Sequence, residues 1–314
     1  MTFLGLGTGM DLQWCSTRGF KKPNESDPSY IHTSTQNFLN RFQNDFSTFF
    51  FSFQRRSYGG LKAEEYLLPF EELSNLARKF SKVVNLHHTM LNLGSTQSYN
   101  RKLIYEVTNK INERCNFGWI NEDVGIWFLK GKSLPYPLPP ILTKESLAQC
   151  VQNTIEARKN LTAPLSIEFP GFTEGASFFV GNLDAYEFFA ELASRSEALV
   201  TLDTGHLIGW EYLCGRQGEE MYLHLENFPF EQVIEIHMSG SELKDGKFYD
   251  RHHGILLNEQ VEMLDFLLPR CKNLKVVTYE DPQYTLDGNL IPASIGGFNA
   301  LKEKIALWKQ HLNN

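Results

Sequence analysis

Short apolar runs recur along this chain with amphipathic stretches between them, and that alternation limits its fold more than any other feature. The runs lie at 3–7 (FLGLG), 46–53 (FSTFFFSF), 82–87 (KVVNLH), 118–127, 164–168, 198–203, 232–237 and 274–280. Each is too short for a buried helix and continuous enough for a parallel strand covered on both faces. Between them, segment 97–115 sets Leu103, Ile104, Val107 and Ile111 on one helical face, and 143–158 does the same with Leu147, Val151 and Ile155 behind an N-cap at Thr143. Segments 63–79, 184–195, 258–268 and 297–311 repeat the theme. Strand and helix in strict alternation predict right-handed crossovers and a parallel sheet. Eight such units predict an α/β chain closed into one (β/α)8 TIM barrel, a single domain over 1–314. The proline-rich stretch Ser133–Pro140 (SLPYPLPP) is expected to be a stiff loop at the rim. Segment 16–45, the least patterned, is expected to be a lid or an edge elaboration.

Four of the runs in the second half end on a residue able to bind metal: Ile167-Glu168, Leu202-Asp203 followed by Thr204-Gly205-His206, Ile236-His237 and Thr278-Tyr279-Glu280. In a closed parallel barrel the carboxyl ends of all strands meet at one mouth, where active sites are built. Carboxylates and imidazoles gathered there repel one another or lose solvation unless a cation holds them. Asp203 and His206 lie three apart at a strand-to-loop junction, with Gly205 to let the chain turn both toward one ion. Glu168 and Glu280 come from different strands and can bridge two cations. Asp250-Arg251-His252 follows the His237 strand and offers a ligand pair for another ion, and His87 and Glu122 end two further strands. His88 should point away from the mouth, because side chains alternate along a strand. Hard carboxylates with neutral imidazoles suit iron, manganese or zinc alike.

Composition narrows the alternatives. A formal net charge of −7 and the lack of clustered Lys and Arg argue against nucleic acid or an anionic membrane as partner. The five cysteines are odd in number, far apart and form no CxxC, so neither a disulfide framework nor a thiolate zinc site is expected. MTFLGLGTGM lacks the basic start and apolar core of a secretion signal, and no apolar run approaches bilayer length. The expectation is a cytoplasmic protein. The glycines at 5, 7 and 9 do not form GxGxxG, and neither a P-loop nor a GxSxG elbow is present.

Glu168, Asp203-x-x-His206, His237 and Glu280 resemble the metal set of the xylose-isomerase-like barrels, which include sugar isomerases, sugar epimerases and AP endonucleases. More closely, residues 80–285 resemble the multinuclear non-haem iron-dependent oxidases of the methanobactin-synthesis type, which modify cysteine-containing precursor peptides. The resemblance runs through Leu86-His87, Leu93-Gly94-Ser95, Asn121-Glu122-Asp123 and Ser166-Ile167-Glu168-Phe169-Pro170. It continues through Asn182–Leu192, Leu202-Asp203, Glu235-Ile236-His237-Met238-Ser239-Gly240 and Tyr279-Glu280-Asp281. It implies metal ligands at His87, Glu122, Glu168, Asp203, His237, Asp250, His252 and Glu280. Residue-level reasoning adds His206, and Glu168, Glu280 and His206 are also the catalytic candidates. The chain departs from the family pattern at Phe51–Arg56, where the second-strand ligands have no counterpart, and at Ser241, which stands in place of a histidine.

The resemblance implies an oxidase holding two or three iron ions and using dioxygen on a peptide or small thiol-bearing substrate, in natural-product biosynthesis. It also implies a small substrate-recognition partner protein. A sugar isomerase or epimerase carrying manganese or zinc remains the alternative, favoured by Asp203-x-x-His206, with Glu168 and Glu280 moving a proton beside a carbonyl. An AP endonuclease-like phosphodiesterase fits the acidic balance less well, and a metal-free binding module would make the retained ligands a coincidence.

Overall fold

Eight parallel strands close on themselves in the computed structural model, which describes residues 3–12, 17–53, 61–81, 83–171 and 180–312. In chain order the strands are β1 (Gly5–Met10), β2 (Thr48–Phe53), β3 (Val83–His88), β4 (Ile120–Asp123), β5 (Ile126–Leu129), β6 (Lys132–Leu138), β7 (Leu165–Glu168), β8 (Leu199–Asp203), β9 (Val233–Met238), β10 (Ser241–Lys244), β11 (Lys247–Asp250) and β12 (Val276–Glu280). Around the ring the order is β1-β12-β9-β8-β7-β4-β3-β2, so the first and last barrel strands are neighbours. The helices are α1 (Thr33–Arg41), α2 (Glu64–Ala77), α3 (Lys102–Cys115), α4 (Lys144–Asn160), α5 (Ala185–Ser196), α6 (Thr204–Leu213), α7 (Glu220–Leu223), α8 (Asn258–Leu267) and α9 (Pro292–Leu312). All eight apolar runs became barrel strands, and Thr143 caps α4 by accepting a hydrogen bond from the Ser146 amide at 3.2 Å. Among the described residues no helix is long and apolar enough to cross a membrane.

Two expectations are corrected. The 118–127 run breaks after β4, because Val124–Gly125 turns the chain into the β5–β6 hairpin. The proline-rich stretch supplies β6 rather than a loop; a two-stranded ribbon has free edges, where a proline without an amide proton costs no ladder bond. The described part of segment 16–45 packs on the barrel's flank, and its Arg18 reaches the mouth, where it donates to Gln283 Oε1 at 2.6 Å and lines a cavity beside His252 and Asp281. Phe20 stacks on Phe70 and Phe38 on Tyr284, both fully packed against the barrel's outer face.

Alternation along the strands sorts their side chains. On β2, Phe49, Phe51 and Phe53 face the helices while Phe50 faces the barrel axis beside His87 and His237. The lower barrel is plugged by Trp119, Ile234 and Val276 with Val83 and Leu199. A polar layer lies above it, where Glu235 accepts hydrogen bonds from Trp119 Nε1 at 2.6 Å and Thr278 Oγ1 at 2.5 Å. The carboxyl-end residues of the strands form the layer above that.

Candidate metal centre

Seven carboxylates and four imidazoles meet at the carboxyl end of the barrel. Among the described residues, the sets whose ligand atoms lie within 4.8 Å of one another are His87–Asp123–Glu168, Glu168–Asp203–His237, His87–His237–Glu280, His206–Asp250–His252 and Asp11–His252–Asp281. Strand register explains the assembly: Asp123 pairs with Glu168 and Asp203 with His237 across neighbouring strands, and Gly9 pairs with Glu280.

Glu168 is the hub. One of its oxygens lies 3.2 Å from His237 Nδ1 and the other 3.4 Å from His87 Nε2. Asn121 Nδ2 donates to the latter oxygen, which fixes the carboxylate plane. Glu280 reaches His237 Nδ1 at 3.5 Å with Oε2 and His252 Nδ1 at 3.4 Å with Oε1. Asp203 divides its two oxygens between tasks. Oδ1 caps α6, accepting from the amides of Gly205 at 2.6 Å and His206 at 3.0 Å and from Ser239 Oγ, while Oδ2 is buried without a hydrogen-bond partner. His206 Nδ1 donates to the Phe169 carbonyl at 2.8 Å, and Nε2 lies 3.2 Å from Asp250 Oδ2. A Cβ at Gly171 would stand 2.7 Å from that nitrogen, so only glycine lets the backbone pass so close. Phe50 stacks on His237 with centroids 4.9 Å apart and walls one side of the cluster.

The nine predicted site residues divide. His87, Glu168, Asp203, His206, His237, Asp250, His252 and Glu280 all belong to the cluster. Asp203 and His206 do not share one three-ligand set, because the Asp203 carboxylate is turned back to cap the helix that carries His206.

Glu122 is corrected. It is fully buried on the outward face of β4, where its carboxylate accepts from the amides of Met90, Leu91 and Asn92 at 3.2, 2.7 and 2.6 Å and faces His88 Nδ1 at 3.2 Å. His88 points outward as expected, its Nε2 meeting Thr108 Oγ1 of α3. Asp123, one residue on, takes the inward place: its Oδ2 lies 3.7 Å from His87 and its Oδ1 3.6 Å from His206. Three members were missed: Asp123, Asp11 and Asp281. Each stands at or one residue beyond the end of a strand, which is the one signal that would have found them.

The electrostatics demand positive charge. Every ion pair described for these carboxylates is to an imidazole. Burial disfavours charge on His87, yet the Glu168 hydrogen bond and the fields of Asp123, Glu168 and Glu280 outweigh it and raise its pKa to about 9. Burial and the Glu168 charge push Asp123 up to about 7 against the pull of His206 and His87. Burial likewise dominates at Asp203, pushed up to about 6. Glu168 and Glu280 are buried but held below the usual carboxylate range by their histidine neighbours. Among the described residues, both nitrogens of His237, Asp203 Oδ2, Asp250 Oδ1 and Glu280 Oε2 are buried ligand atoms with no hydrogen-bond partner. Buried polar atoms are seldom left so, and a hard carboxylate–imidazole set is what divalent iron, manganese or zinc takes. The residues fit bound metal.

A ligand-rich mouth at the carboxyl end of a closed (β/α)8 barrel is the place where enzymes of this fold build their sites. The chain is similar in structure to a xylose isomerase domain protein from Alicyclobacillus acidocaldarius, with a TM-score of 0.53 at 14% identity over 97% of this chain and 99% of that one. It is similar also to an L-ribulose 3-epimerase, with a TM-score of 0.54 at 8% identity over 98% of each chain. At such identities these likenesses speak to the fold alone. The chain belongs to the family of RiPP precursor modification enzymes MbnB/TglH/ChrH, whose profile matches residues 50–286. No curated relative matches the sequence.

Proposed function

We propose that this protein is a multinuclear iron oxidase that uses dioxygen to modify a cysteine-bearing precursor peptide. The observation that carries the reading is Glu168, one buried carboxylate belonging to two three-ligand sets, His87–Asp123–Glu168 and Glu168–Asp203–His237. Glu168 would therefore help to hold metal on both sides, with His87 and Asp123 on one and Asp203 and His237 on the other. Family membership supplies the substrate class, a ribosomally made peptide precursor.

Iron at such a centre would supply the electrons for dioxygen reduction and the Lewis acidity that activates a thiol. The chain does the rest. Glu168, Glu280, Asp203 and His237 are nearly solvent-free and hold their donor atoms rigidly. Asn121 and Ser239 orient Glu168 and Asp203 by hydrogen bonds, as partners behind metal ligands commonly do. Phe50 excludes water from the face of His237. His206, its Nδ1 committed to the Phe169 carbonyl, keeps Nε2 as the one ring atom it can offer a metal, beside Asp250 and His252. The four described cysteines are unpaired, in keeping with a reducing cytoplasm. A single barrel domain over 1–314 and a small protein that delivers the peptide complete the reading.

The test is anaerobic purification followed by metal analysis by mass spectrometry and oxygen-uptake measurement with cysteine-containing peptides. Two or more iron per chain and thiol-dependent oxygen uptake are expected. A single manganese or zinc, with no uptake and turnover of a ketose, would replace this reading with the isomerase one.

A further inference from the structure

Away from the metal cluster, a cavity of about 370 Å³ lies between α3 and α4, and its walls include Arg101, Lys102, Tyr105, Glu106 and Glu156. None of these residues belongs to a metal-ligand set. We infer that this groove binds a free α-amino acid, recognised at once by its carboxylate and its ammonium group. The inference draws nothing from the proposed iron centre.

One side of the groove is cationic. The Arg101 side chain is 3% exposed, and a guanidinium at that depth has to be satisfied by its neighbours. Nε donates to the Leu91 carbonyl and Nη2 to the Asn92 carbonyl at 3.1 Å, which fixes the plane of the group. Nη1 faces Glu156 Oε2 at 3.7 Å, too long for a hydrogen bond. Lys102 adjoins it as the first residue of α3. There the N-cap residue, Arg101, offers no side-chain acceptor and the first turn holds no acidic residue, so the helix end keeps its partial positive charge.

The other side is anionic. Glu106 lies one turn after Lys102, with 4.0 Å between Nζ and Oε1, and Glu156 faces Arg101 from α4. Both pairs attract without bonding. A lone anion in the groove meets Glu106 and Glu156, and a lone cation meets Arg101 and Lys102. A molecule carrying both charges a few bonds apart offends neither side. Its carboxylate accepts from Arg101 and Lys102 while its ammonium donates to Glu156 and Glu106, and an α-amino acid has that pattern.

Tyr105 sets this groove apart from two solvated surface ion pairs. The residue is 5% exposed, and its Oη is buried with no hydrogen-bond partner. Buried hydroxyls are seldom left so. Arg101 and Glu156 are the charges that act on it most strongly, so the hydroxyl stands near both sides of the groove. The Glu156 side chain, 49% exposed, has room to turn toward an ammonium and uncover the hydroxyl, which then donates to the carboxylate. Asn109 closes the far end, donating to the Asn160 carbonyl at 2.7 Å and accepting from the Thr162 amide at 2.9 Å.

The experiment is isothermal titration calorimetry of the full-length chain with each standard amino acid in turn, in EDTA so that no ion at the mouth chelates the probe. At least one amino acid is expected to bind, one molecule per chain. Its amide, which lacks the carboxylate, and its N-acetyl derivative, which lacks the ammonium, are each expected to bind more weakly by about tenfold or more. Tyr105→Phe removes only the buried hydroxyl and Glu156→Gln alters a half-exposed side chain, so both should fold, as checked by circular dichroism. Each should weaken binding about tenfold. No binding of any amino acid overturns the site. Affinity unchanged in both variants puts the ligand elsewhere and overturns it equally. An amide or N-acetyl derivative that binds as tightly as its parent overturns recognition of both charges.

Discussion

Replacing Asp203 by asparagine separates what its two oxygens do. Oδ1 carries the cap of α6 and survives in the amide, whereas Oδ2, the buried unpartnered atom, becomes an NH2 group that cannot bind a cation. In the metal-free protein the wild-type carboxyl is pushed up from 3.8 to about 6 by burial, reinforced by Asp250, Glu280 and Glu168 and opposed by His206. A shift of about two units corresponds to ~3 kcal/mol. For an acid with a raised folded-state pKa the cost is fully present above about 6 and disappears below 3.8, so at pH 7.5 metal-free Asp203→Asn should be the more stable by up to ~3 kcal/mol. The same change should weaken binding of at least one ion by about 100-fold, or ~2.8 kcal/mol. Asp203→Ala also gives up the cap and should lose ~1–2 kcal/mol relative to the asparagine variant. Urea unfolding with and without chelator, beside metal titration, reads all three quantities. Unchanged metal affinity in Asp203→Asn, or a metal-free variant less stable than the wild type at pH 7.5 but not at pH 4, refutes the reasoning.

Two further outcomes follow from the geometry. Glu122→Ala strips the acceptor from three buried amides and should destabilise by ~3 kcal/mol or more in denaturant titration while the folded fraction keeps its full metal content; a stable variant short of one ion would return Glu122 to the ligand set. Metal affinity should rise with pH up to about 9, because His87 holds a proton below that value and must release it to bind a cation, about tenfold per pH unit for each proton displaced. Chelator competition between pH 6.5 and 9 measures the slope, and a flat profile would exclude His87 as a ligand.

Much of the site was legible because strand ends are legible. A run such as VIEIH declares both its direction and its last residue, and a parallel barrel sends all such ends to one mouth. The harder question was which face a side chain takes. Alternation says that Glu122 and Asp123 point opposite ways, and His87 and His88 likewise, but not which of each pair is inside. For β3 the inward choice of His87 was correct; for β4 the choice of Glu122 was not. Pairing with β7 settles the latter, setting Asp123 beside Glu168 and turning Glu122 toward the amides of Met90–Asn92.

Length and polarity of the segments by themselves determined the eight strands, most of the helices between them and the carboxylate and imidazole character of the mouth, because these depend on short-range periodicity. Closure was decided only in three dimensions. Asp11 and Asp281 are 270 residues apart and touch because β1 hydrogen-bonds to β12, a pairing set by barrel geometry rather than by either local sequence. The bond from the Asp11 amide to the Asp281 carboxylate therefore belongs to the ring, and no reading of either strand alone contains it.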